Sequence, residues 1–199
     1  MDFSRLGELE IEAIKELGNI GAGHAATSLS QMIGKTIEMS VPEVKIVEIS
    51  KIHEVVDAER VVAGVITGLN DLENGEAGYL YIVFPEETTK KIANIILDGN
   101  EEMLESALME IGNILSSSFC SATAEMLGVM LIPTPPNFAM DYSIAILDAL
   151  LSQMASKGDY ILIFNTELRD EDKSVEIEIM LLPSENFMKY IAKLIGMVE

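Results

Sequence analysis

Residues 12–42 read EAIKELGNIGAGHAATSLSQMIGKTIEMSVP, and residues 106–136 read SALMEIGNILSSSFCSATAEMLGVMLIPTPP. The two stretches align without a gap at an offset of 94 residues. Ala13/Ala107, Glu16/Glu110, Gly18/Gly112, Asn19/Asn113, Ile20/Ile114, Met32/Met126, Gly34/Gly128 and Pro42/Pro136 are identical columns, and most of the others exchange like for like. Self-similarity at a fixed period marks a duplicated structural unit. The likeness continues more loosely, since AGYLYIVFPEE at 77–87 matches VEIEIMLLPSE at 175–185. The chain therefore reads as a single domain, 1–199, built from two repeats of approximately 1–99 and 100–199. Such units pack around a pseudo-two-fold axis and share a core.

Outward from the repeats, the hydrophobic pattern supplies the elements. Leu6, Leu9, Ala13, Ile14, Leu17 and Ile20 predict a helix over 5–33 with Ser4 as its N-cap. Met103, Leu104, Leu108, Ile111 and Leu115 predict its counterpart over 102–128. Gly34 and Gly128 stand where left-handed helix stops belong. Strands are expected near 44–49, 60–68, 77–84, 137–141, 159–168 and 174–182, where β-branched residues dominate. Turn-like ENGEAG (73–78) and RDEDKS (169–174) close hairpins. Helical patterns follow at 86–97, 143–155 and 184–197, with 51–59 a shorter counterpart of 143–155. The fold class is α+β, an internally duplicated unit on an antiparallel or mixed sheet of about six strands.

Composition narrows the functions. The formal charge of −20 argues against nucleic acid, whose phosphates need clustered Lys and Arg, and against anionic membrane surfaces. It favours a partner that is basic, at least locally. The single cysteine, Cys120, allows no intrachain disulfide and fits a reducing compartment. The start MDFSRLGELEIEA lacks the basic, then apolar, pattern of a signal peptide, and no apolar run approaches the roughly 18 residues of a membrane helix. A cytoplasmic protein is expected. His24 and His53 fall in different segments, and Ser118 replaces His24 in the second repeat, so no metal site is expected.

Glu16 and Asn19 are three residues apart and neighbours on one helix face. The stripe Glu12, Glu16, Asn19, Gly23 lies opposite Leu6, Ile14 and Leu17, so it faces outward. Ser106, Glu110, Asn113 and Ser117 repeat that stripe. Gly18 and Gly112 each cost a helix interior about 1 kcal/mol relative to Ala, which points to close approach by a helix or a partner surface. Asn can accept a hydrogen bond from water and donate another, as the water-orienting Gln of GTPases does. Glu can hold a basic group by a charge-assisted contact. Together they form an incomplete site, and the missing metal and electrophile must arrive with the substrate.

The acidic residue or Ser, then Glu, then Asn, with Pro42 and Pro136 each 23 residues beyond the Asn, resembles the signature of the CheC/CheX/FliY family of chemotaxis phosphatases. The segment ELGNIGAGHAAT strengthens that resemblance, which spans essentially the whole chain. It implies two long motif-bearing helices on one face of the sheet. It implies phosphorylated CheY as substrate, carrying an aspartyl phosphate and its own Mg2+, with no cofactor on this chain. Asn19 and Asn113 would align the attacking water, Glu16 and Glu110 would pair with a basic side chain of CheY, and Pro42 and Pro136 would be structural. The regulator CheD is a further implied partner. The apolar helix SIAILDALLSQMA at 143–155 is the candidate surface, through Ile144, Leu147, Asp148 and Leu151, with a buried helix as the competing reading.

Two rivals stand beside the enzyme. One is a non-catalytic module that sequesters CheY-P or CheD. The other is a flagellar switch component of the FliM kind, against which the intact Glu/Asn pairs count. Two sites in one chain remove the need for a dimer, so a monomer is expected.

Overall fold

The first long helix begins later than its periodicity suggests. In the computed structural model, which describes residues 6–73, 75–154 and 159–196, helix α1 spans Glu8–Ile33 with Gly7 as N-cap. The Glu10 carboxylate accepts the Gly7 N–H at 2.7 Å, so a backbone donor at the helix start is satisfied from within the first turn. Ser4, the expected cap, lies outside the described residues. At the other end Gly34 adopts φ 68°, the left-handed stop its position predicts.

The first repeat continues with β1 (Ile37–Met39), β2 (Glu43–Glu48), a 3-10 segment (Ile49–Glu54), the hairpin β3 (Val61–Asp71) and β4 (Gly75–Pro85), and α2 (Glu86–Ile96). The second runs through α3 (Leu104–Leu127), β5 (Leu131–Pro133), β6 (Asn137–Tyr142), α4 (Ser143–Met154), β7 (Tyr160–Asp170), β8 (Glu176–Pro183) and α5 (Glu185–Leu194). Gly128 ends α3 at φ 66°, matching Gly34. Beyond the expected strands lie β1 and β5, three residues each and too short to show a pattern. The expected 51–59 helix is the 3-10 segment, where Ile52 alone is buried.

The eight strands occupy six positions across one sheet, and their pairings among the described residues are antiparallel. The hairpins β3–β4 and β7–β8 share a register, Val65 opposite Ile82 in one and Phe164 opposite Leu181 in the other. They join at the centre through β4 and β8, where Tyr81 faces Met180. The outer positions are exchanged: β1 and β2 of the first repeat pair with β7 of the second, while β5 and β6 pair with β3.

Side-chain alternation along the strands divides the interior into two cores. On the front face, Ile14, Leu17, Leu29, Leu108, Leu115 and Phe119 of α1 and α3 pack against Val65, Phe164, Ile177 and Leu181. Both motif helices thus lie on one face. On the back face, α4 packs Ile146, Leu147, Leu150 and Leu151 against Val62, Tyr81, Val83 and Met180. No helix among the described residues is long and apolar enough to cross a membrane.

Candidate functional site

Gly18 and Gly112 show how closely the motif helices are seated. A Cβ on Gly18 would lie 2.2 Å from the Phe164 ring, and one on Gly112 would lie 2.4 Å from Val65 Cγ1. Phe164 and Val65 are equivalent positions of the two hairpins. Each glycine therefore faces a sheet strand of the other repeat, neither another helix nor a partner surface. The close approach fixes the rotation of each helix about its axis, and so fixes which residues point outward.

That rotation leaves Glu16 and Glu110 exposed, and Asn19 and Asn113 half-buried. In the first repeat the motif residues line one open groove of about 500 Å³, formed by Glu12, Lys15, Glu16 and Asn19 on the helix and Met39 to Pro42 opposite. Pro42 and Asn19, far apart in sequence, thus share one groove. Pro42 immediately precedes β2 and Pro136 immediately precedes β6. Lys15 donates to Glu12 Oε1 at 3.0 Å, a contact the second repeat lacks because Met109 and Ser106 stand there.

The wall opposite each helix is clamped by a hydroxyl residue that sequence reasoning passed over. Ser40 donates its N–H to the Glu167 carbonyl at 2.8 Å and accepts the Glu167 N–H on Oγ at 2.9 Å. Thr134 does the same with Gly68, at 2.8 and 2.9 Å. Ser40 and Thr134 occupy one column of the repeat, which was the available signal. The two long helices are tied directly as well, through Ser28 and Ser118 hydroxyls 2.7 Å apart.

The candidate surface on α4 is corrected. Leu147 is fully buried and Leu151 nearly so, because the back core needs an apolar cover and α4 supplies it. Ile144 is half-buried, and Asp148 is exposed beside Ala145, Ala149 and Ser152. Cys120 is buried, and burial pushes its thiol up to about 12, which fits a packing residue. No cluster of three or more His, Cys, Asp or Glu suited to a metal occurs among the described residues.

The model of the CheC-like family matches residues 9–46 and 103–140, the two helix-to-strand segments, the first of which builds the groove. The CheY-P phosphatase CheC of Bacillus subtilis (strain 168) is 27% identical over 96% of this chain and 97% of its own. The chain is similar to the CheC-like family along both of these segments. Both copies of the family segment run from the motif helix through its Pro. The fold agrees: FliY of Thermotoga maritima superposes with a TM-score of 0.72 at 21% identity, covering 98% of this chain and 100% of that one. CheX of Borrelia burgdorferi, solved with CheY, BeF3 and Mg2+, gives a TM-score of 0.56 at 22% identity, over 84% of this chain and 97% of that one.

Proposed function

We propose that this chain dephosphorylates phosphorylated CheY, hydrolysing its aspartyl phosphate at two sites built on Glu16/Asn19 and Glu110/Asn113. The observation that carries the reading is the outward Glu-x-x-Asn pair present on both long helices, each seated by a buried glycine one residue before the Asn. The similarity to CheC of Bacillus subtilis, named a CheY-P phosphatase, supports it.

In this reading the site is half of an active centre. CheY supplies the phosphoryl group and the Mg2+, and this chain holds no cofactor of its own. The Asn amide enters the CheY site, accepts a hydrogen bond from water through its oxygen and fixes the line of attack on phosphorus. The Glu carboxylate, free in solvent, pairs with a basic side chain of CheY and sets the register of docking. CheD is the regulator in this reading. It would dock on the solvent side of α4, around Asp148 rather than the buried leucines.

The test is the rate at which CheY-P loses phosphate. Asn19→Ala combined with Asn113→Ala is expected to lower the acceleration about 100-fold or more. Binding to BeF3-activated CheY should change only a few-fold. Each single substitution should leave the other site working. Full activity in the double variant would refute the mechanism. Tight binding without any turnover in the unmodified chain would establish the sequestering module instead.

A further inference from the structure

The back face of the sheet carries a second cavity, on the side away from the motif helices. It measures about 240 Å³ and lies between the segment preceding β3 and the strands β3, β4, β7 and β8. Its apolar wall includes Val55, Val62, Val83 and Met180, and its polar wall is Asp57, Arg60, Ser143, Asn165, Glu167 and Glu178. Arg60 Nη1 donates to Glu178 Oε1 at 3.0 Å. Glu167 is paired more loosely, with Arg169 at 3.4 Å.

Two features resist a purely structural account. The first is an orphan: Asn165 Oδ1 is buried and has no hydrogen-bond partner. An unpaired buried polar atom costs about 1–3 kcal/mol, so its retention calls for a missing partner. The second is asymmetry. By the shared hairpin register, Asn165, Glu167 and Glu178 correspond to Ile66, Gly68 and Tyr79. The fold closes the equivalent place in the other hairpin without this polar set, so architecture does not require it.

The chemistry of the wall selects the ligand. Three carboxylates face one guanidinium, and that guanidinium is already engaged by Glu178, so an anion is disfavoured. Burial raises the Glu178 carboxyl above the usual carboxylate range, with Glu167 and Glu176 adding to the effect and Arg60 opposing it. The lining itself, with Asp57, Glu167 and Glu178 against Arg60, leaves an excess of acidic groups. The described residues hold no metal-ligating cluster, and the volume falls below the roughly 300 Å³ at which drug-sized pockets begin.

We propose that this cavity binds a small organic cation, an alkylammonium or alkylguanidinium. Its head lies among Asn165 Oδ1, Glu167 and Glu178, and its methylene stem lies along the valine wall. The cation is either a free amine or the tip of a Lys or Arg side chain from a protein partner. The site does not depend on the phosphatase reading.

The experiment is thermal unfolding of the full chain at fixed ionic strength, with n-butylguanidinium, n-butylammonium or the capped tripeptide Gly-Arg-Gly, against equal added NaCl. Binding to the native state alone raises Tm with concentration. A rise with either free cation is expected, and a rise with the tripeptide alone assigns the site to a protein partner. Asn165→Ile, which installs the residue of the other hairpin, should leave the Tm of the free protein unchanged or higher. It should also weaken cation binding about tenfold or more. Glu167→Gln should weaken it without creating a packing change. No rise with any of the three probes up to about 10 mM, or an equal rise in Asn165→Ile, would overturn the proposal.

Discussion

Gly18 and Gly23 lie five residues apart on α1 and should respond in opposite directions to the same substitution. A methyl group at Gly18 would drive into the Phe164 ring, whereas at Gly23 nothing lies within 4 Å. Gly18→Ala is expected to destabilise by about 1–3 kcal/mol through overpacking. Gly23→Ala should stabilise by about 0.5–1 kcal/mol through helix propensity. Urea unfolding of the two variants checks both signs. Asp170 gives a second prediction. It is buried, and although burial alone would raise its carboxyl, hydrogen bonds from Lys35, the Val175 N–H and Ser174 hold it well below the usual carboxylate range. A group whose folded-state pKa is depressed contributes stability above its unfolded value, and that contribution is lost as pH falls towards the folded value. Asp170→Asn should therefore cost roughly 2 kcal/mol at pH 7, less than a fully buried pair because Lys35 is part-exposed. The gap to the unmodified chain should narrow below about pH 4, measured by unfolding at a series of pH values. At this scale the Glu/Asn pairs were legible because period and duplication place them outward. The ring packed on Gly18 was not, because spacing along a helix carries no information about which distant strand lies against it.

At the scale of elements, the motif groove depends on a short edge segment that hydrophobic patterns do not show. Strands β1 and β5 have three residues each, so neither alternation nor length distinguishes them from loop. The long hairpins were legible because β-branched runs bounded by turn residues extend over eleven positions in β3, β4 and β7. Helix α4 was half legible: its apolar richness was plain, but the choice between an exposed face and a buried one depends on the back core it covers. The Ser40 and Thr134 clamps hold the segments opposite the two motif helices, and each can be removed singly. Ser40→Ala leaves the Glu167 N–H without its acceptor, and Thr134→Ala does the same to Gly68. Each change should cost about 1 kcal/mol. Amide exchange should accelerate locally, at Glu167 in the first variant and at Gly68 in the second, with the other site unaffected. If the phosphatase reading holds, each variant should also slow its own site. That contribution is read by combining Ser40→Ala with Asn113→Ala, and Thr134→Ala with Asn19→Ala.

At the scale of the molecule, the duplication is interleaved. The N-terminal helix and edge strands of each repeat dock on the hairpin of the other, so Gly18 meets Phe164 and β2 completes the edge of β7. Neither half encloses its own front core. Fragments 1–99 and 100–199, made separately, are expected to lack cooperative unfolding, and mixing them should restore it. Pseudo-symmetry raises the rival outcome that two copies of one fragment pair with each other, and side-chain volume decides against it. Where the helices cross, Gly21 accommodates Phe119, with a Cβ there only 2.7 Å from the ring. Their counterparts by the repeat offset are Leu115 and Ala25. A pair of first fragments would set Gly21 against Ala25 and leave a void, while a pair of second fragments would force Leu115 against Phe119. Voids and overpacking each cost on the order of 1–3 kcal/mol, and the crossing would occur twice in a symmetric pair. An equimolar mixture should therefore give the heterodimer, seen by native mass spectrometry as one species of combined mass with a single unfolding transition. Preferential homodimers, or a first fragment that unfolds cooperatively as a monomer, would show that the exchanged docking does not hold the fold together.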